Sequence, residues 1–144
     1  MKNALLVLCI LFSTALFAQE EWGDVQKNVV TLKEIPPVWP GCEKGNVAKR
    51  DACFNNMLAQ HIAKNFKYPP QAYKNNDQGR VVVKFIINEK GLVEIKSVSG
   101  GTAALQEEAK RNILAMPKMT KPGMMGGKPR DIKFTVPITF KTGK

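Results

Sequence analysis

One histidine and three cysteines among 144 residues leave little material for a metalloenzyme. There is no G-x-S-x-G turn, and no serine or cysteine pairs with His61 as a nucleophile. Acidic residues number 12 against 22 Lys plus Arg, and only Glu20-Glu21 and Glu107-Glu108 are adjacent. Neighbours in a helix do not face one site, so no carboxylate pair for acid–base work stands out. Gly123, Gly126, Gly127 and Lys128 resemble a phosphate loop only superficially: the G-x-x-x-x-G-K-[ST] spacing is missing, and Pro129 follows the lysine. Met116, Met119, Met124 and Met125 would suit Cu(I), but no His or Cys stands among them. Met116 is expected in the core and the other three on the loop surface. The expectation is a protein that is not an enzyme and that has no cofactor and no metal.

Long hydrophobic runs are also lacking. The longest, Ala4 to Ala18, is fifteen residues, short of the roughly twenty needed to cross a bilayer. It follows the basic start Met1-Lys2-Asn3 and gives way to Gln19-Glu20-Glu21, the layout of a secretory signal peptide cut after Ala18. The alternative is a retained inner-membrane anchor. Cys9 lies inside the run with no small residues before it, which does not suit a lipoprotein cut. Removing residues 1 to 18 takes away one lysine and lowers the net charge from +10 to +9. Export to the periplasm argues against nucleic acid as the partner of this charge, and the basic residues are not organised around aromatic platforms. A cluster from Lys118 to Arg130 is placed to steer an acidic partner. After the cut only Cys42 and Cys53 remain, and an even pair in an exported chain is most simply a disulfide.

Residues 19 to 35 show no sustained periodicity and are expected to form a linker, with the folded domain spanning 36 to 144. Ile35 to Gly41 is an extended entry stiffened by Pro36, Pro37 and Pro40, with Trp39 as its anchor on the core. Phe54, Met57, Leu58, His61 and Ile62 fall on one face of a helix from about Ala48 to Asn65. Pro69-Pro70 can open a short second helix. Val81, Val83, Phe85 and Ile87 alternate as a half-buried strand, and Asn88-Glu89-Lys90-Gly91 turns it into a return strand, Leu92 to Val98. The phase slips before Val98, which predicts a bulge. Leu105, Ala109, Ile113 and Met116 mark a helix over about Ala104 to Ala115, and Met116 to Arg130 is expected as loop. The last strand carries Ile132, Phe134, Val136, Ile138 and Phe140 inward.

The hairpin makes the first two strands antiparallel neighbours, and the crossover through the later helix brings the third back beside the first. The expected fold is α+β: a three-stranded antiparallel sheet, order 2-1-3, with two main helices on one face. Pro137 supports an edge position for the last strand, since a proline is tolerated there and not centrally. By strand parity Lys133, Thr135, Pro137 and Thr139 turn their backbone groups outward.

Several stretches in order carry a resemblance. Pro37-Val38-Trp39-Pro40-Gly41-Cys42, Tyr68-Pro69-x-x-Ala72, Gly79 to Phe85, Gly91-Leu92-Val93, Met116-Pro117-Lys118-Met119, Lys121-Pro122-Gly123 and Phe134 to Phe140 together resemble the TonB C-terminal domain of the Bacteroidetes type, over about residues 36 to 141. The resemblance implies a periplasmic domain that engages TonB-dependent outer-membrane transporters. It also implies that the last strand, through Lys133, Thr135, Val136, Pro137 and Thr139, accepts the transporter's Ton box by strand addition. A full transducer has an inner-membrane helix coupled to ExbB–ExbD and a long Pro-rich spacer, neither of which is evident here. Residues 19 to 40 would reach only about 75 Å fully stretched. A short anchored transducer working with ExbB–ExbD, and a structural domain that self-pairs into a homodimer through the same edge, are the alternatives. Mass spectrometry of the exported protein is expected to find a chain that begins at Gln19; retention of residues 1 to 18 would select the anchor.

Overall fold

The computed structural model describes residues 33 to 144; the expected leader, 1 to 18, and residues 19 to 32 of the expected linker lie outside them. The elements in chain order are β1 (Glu34–Ile35), α1 (Val47–Asn65), α2 (Pro70–Lys74), β2 (Gly79–Ile87), β3 (Val93–Ser99), α3 (Ala103–Leu114), β4 (Met124–Met125), β5 (Lys128–Pro129) and β6 (Ile132–Phe140). The main sheet has the order β3-β2-β6, antiparallel throughout. This is the expected 2-1-3 arrangement, with α1 and α3 as its main helices.

Local sequence explains most of these boundaries. Asn46 caps α1, its side chain accepting from the Lys49 amide at 2.9 Å. Gly91, at φ +79°, closes the β2–β3 hairpin, where a side chain would also press on the Met119 carbonyl. Lys84 pairs with Ser97 but Phe85 with Ile95, so Lys96 is the extra residue of a bulge. The bulge resets the phase of β3 and lets Val93, Ile95 and Val98 all pack toward the core.

The core lies between the sheet and the helices. Val81, Val83, Phe85 and Ile87 of β2 are buried, as are Leu105, Ala109 and Ile113 of α3 and Phe54 and Leu58 of α1. An aromatic chain crosses it: Trp39 meets Phe54 edge-on at 5.7 Å, Phe54 stacks on Phe134 at 5.1 Å, and Phe134 on Phe85 at 5.3 Å. Entry segment, helix and both long strands are thus joined by rings, each pair adding about 1 kcal/mol beyond its buried area. Cys42 and Cys53 are bonded, tying the entry segment to α1.

Three expectations need correction. The stretch from Met116 to Arg130 is not wholly loop, because β4 and β5 form a hairpin in it. Gly126 and Gly127 sit at φ +60° and +77°, the two positive-φ positions of a tight two-residue turn. Glu34 and Ile35, expected in the linker, pair with Met125 and Met124 and so extend this hairpin into a second sheet, β1-β4-β5. Met119 is buried rather than on the loop surface, because its amide donates to the Gly91 carbonyl at 2.9 Å and draws its side chain under the hairpin turn.

The disulfide closes a loop of about twelve residues, which chain entropy values at roughly 3 kcal/mol. Replacing both cysteines (Cys42→Ala with Cys53→Ala) is expected to lower the unfolding free energy by that amount in urea titrations. A loss below about 0.5 kcal/mol would show that the aromatic chain alone holds the entry segment.

Candidate functional site

Among the described residues β6 pairs only with β2, in a continuous nine-residue register from Gly79↔Phe140 to Ile87↔Ile132. The flank it exposes follows from one hydrogen bond. The Asn88 amide donates to the Leu92 carbonyl at 2.8 Å, so the backbone groups of Asn88 face β3. Backbone direction alternates along a strand, so Ile87, Phe85, Val83 and Val81 face β6, and their partners Ile132, Phe134, Val136 and Ile138 face back. Lys133, Thr135, Pro137 and Thr139 therefore turn their N–H and C=O groups away from the sheet. Pro137 fits this parity, since opposite Val82 it would have no amide to give. The unpaired ladder offers amides at Lys133, Thr135 and Thr139 and carbonyls at all four positions. Val136, grouped with them on sequence, points the other way: its backbone faces Val83 and its half-buried side chain packs on the core.

The second edge of the sheet, β3, differs. Its bulge at Lys96 breaks the regular ladder, and Glu94 and Lys96 pair across it at 3.3 Å. Bulges and charges of this kind are how sheets blunt an edge. β6 has no bulge, and one proline is its single interruption.

Two depressions flank β6, one on each face of the sheet. On the helix side, Ile62 and Ala63 of α1 and Phe66 just past its end overhang Pro137, Ile138 and Thr139, leaving a groove of about 370 Å³. On the opposite face, Lys84, Ile86, Lys96, Lys133 and Thr135 surround a hollow of about 420 Å³, lined also by Phe85 and Phe134, whose rings point away to the core face. Both are open to solvent and run along the strand rather than into the core.

The overhanging end of α1 is held from α3. The Asn112 side chain donates to the Ile62 carbonyl at 3.0 Å, and His61 Nε2 donates to the Asn112 carbonyl at 2.9 Å. That assignment leaves His61 Nδ1 to accept from Asn65 at 3.2 Å. His61, expected to be core or half-buried, is half-buried and serves this contact. Glu108, only 8% exposed, accepts from the Lys67 amide at 2.8 Å and from Arg111 Nε and Nη2 at 2.7 Å each. Arg111 also donates to the Asn65 carbonyl at 2.5 Å, capping the last turn of α1. The Glu108 hydrogen bonds raise the Arg111 guanidinium above its ordinary pKa. Sequence reasoning missed this latch; the i, i+3 spacing of Glu108 and Arg111 was its one visible signal.

These features define an α+β domain with one protected and one regular, open sheet edge. The family described as "Gram-negative bacterial TonB protein C-terminal" matches residues 64–142, and the chain belongs to that family. The chain is similar to two solution structures of the Helicobacter pylori TonB-CTD, a shorter and a longer piece, at 20% identity each. They cover 63% and 69% of this chain and 96% of their own, with TM-scores of 0.42 and 0.44. No curated protein matches. Domains of this family are periplasmic, and among the described residues no helix is long and apolar enough to cross a membrane.

Glu108→Ala is expected to cost about 2 kcal/mol, because it strips the Lys67 amide of its acceptor while the half-exposed Arg111 falls back on water. Thermal unfolding of the variant measures this. A change below about 0.5 kcal/mol would mean that the latch does not hold the end of α1.

Proposed function

We propose that this domain is a periplasmic binding module of TonB-type, energy-coupled transport. It accepts the Ton box of a TonB-dependent outer-membrane transporter as a fourth strand on β6. The observation that carries the reading is the regular, unpaired flank of β6, with alternate residues from Lys133 to Thr139 presenting backbone groups outward. An extended peptide added there gains main-chain hydrogen bonds without disturbing β2.

The energetics fit a transient grip. Four or so net hydrogen bonds at about 1 kcal/mol each correspond by themselves to a dissociation constant near millimolar. The ladder thus sets geometry and direction, and side chains beside it supply the remaining affinity. The cluster Lys118, Lys121, Lys128 and Arg130 is exposed, and its charge would speed encounter with an acidic segment more than it would tighten the complex.

Thr135→Pro tests the reading. The Thr135 amide faces away from β2, so its loss spares the sheet but leaves two prolines, at 135 and 137, on the accepting flank. Calorimetric titration with Ton-box peptides is expected to show binding by the wild type and none by the variant, with the melting temperature nearly unchanged. Equal affinity in the two proteins would overturn strand addition on β6. Sedimentation at increasing concentration tests self-pairing through the same edge, and a dimer abolished by Thr135→Pro would favour the structural reading instead.

A further inference from the structure

The two depressions lie on opposite faces of the sheet along the same open edge, and a strand added to that edge sends alternate side chains to opposite faces. We infer that the site selects an extended partner with apolar residues on the helix side and acidic residues on the other. This rests on strand addition to β6 and goes beyond it by naming the chemistry of the added strand.

The helix-side groove has apolar walls. Ile62, Phe66 and Ile138 present carbon to it, and Ala63, exposed and small, leaves it open. A residue opposite Ile138 directs its side chain into that space, because Ile138 itself points to the core face. The wall is stiff: Ile62 and Asn65 carbonyls are held by Asn112 and Arg111, and Phe66 packs on Phe140 at 5.1 Å. A preset wall loses little order on binding, so apolar contact there is converted efficiently into affinity.

The other face has the opposite character. Residues across from Lys133 and Thr135 project there, beside the Lys133 side chain and one strand away from Lys84, the partner of Thr135 across β6–β2. Lys96 is already paired with Glu94, but among the described residues neither Lys84 nor Lys133 has an ion pair. Two free cations beside a hollow whose apolar side chain is Ile86 attract carboxylates and repel lysine or arginine. The positions opposite Ile138 and Thr135 are three residues apart, and those opposite Ile138 and Lys133 five. Odd spacing is what one strand needs to meet both faces at once.

Three synthetic ten-residue peptides test this: one alternating Val and Asp, one with the same residues in two blocks, and one alternating Val and Lys. The alternating Val/Asp peptide is expected to bind the full mature protein at least tenfold more tightly than either of the others. Ala63→Glu, a substitution a helix surface accepts, should erase most of its lead over the blocked peptide. Lys84→Glu with Lys133→Glu should reverse the preference between Asp and Lys, and added salt should shrink it. Equal binding of all three peptides, with capture still lost in Thr135→Pro, would overturn the two-faced selection and leave strand addition standing. Absence of binding by any peptide, the Ton-box peptides included, would overturn both.

Discussion

The nine-residue pairing of β2 with β6 is the contact on which the rest of the domain depends. β2 is the strand of the main sheet with neighbours on both flanks, and its odd-numbered side chains are buried between sheet and helices. Once β2 is central and β3 follows it through a tight hairpin, β6 can only be the far edge. The open flank is therefore a consequence of core burial and chain order, not a separate feature that the fold must maintain.

The second determinant is where α1 ends. The disulfide and the Trp39–Phe54–Phe134 rings fix the start of the helix against the core, and the Glu108–Arg111 fork with Asn112 fixes its last turn. Between them the helix axis is committed, and Ile62, Ala63 and Phe66 come to stand over the terminal half of β6. Polar groups inside α3 thus do their work at a distance, by setting the shape of an apolar wall that they do not line. The arrangement is costly to disturb, since a buried carboxylate or amide stripped of its partner bears the full desolvation penalty.

Much of this was legible in the residues. Alternation along Val81–Ile87 and Ile132–Phe140, the Asn88–Gly91 turn, the helical stripes and the edge proline were enough to order the sheet and place the open flank. What escaped has a common physical reason: short elements and long-range contacts leave little periodicity. β1, β4 and β5 are two residues each, too brief for alternation to appear, although Gly126-Gly127 was a turn signal in plain view. Met119 is buried by a backbone bond to Gly91, which no local pattern encodes. Val136 stands in the accepting set only through the family resemblance, and the alternation that puts its side chain inward also turns its backbone toward β2. The helix-side groove needs α1 and β6, some seventy residues apart in sequence, to be placed together first.

Pro137 brings these strands of argument together. A proline at the middle of an open edge removes one donor from a ladder of few groups, which weakens any partner, including a second copy of the same strand. It keeps its outward carbonyl, and by strand parity its ring lies on the same face as Lys133 and Thr135, away from the helices. Under the proposed strand addition, the missing hydrogen bond moves recognition from the backbone, which every extended chain shares, toward side chains, which differ. On that proposal, an edge built this way resists indiscriminate pairing and still admits a strand whose side chains suit both faces.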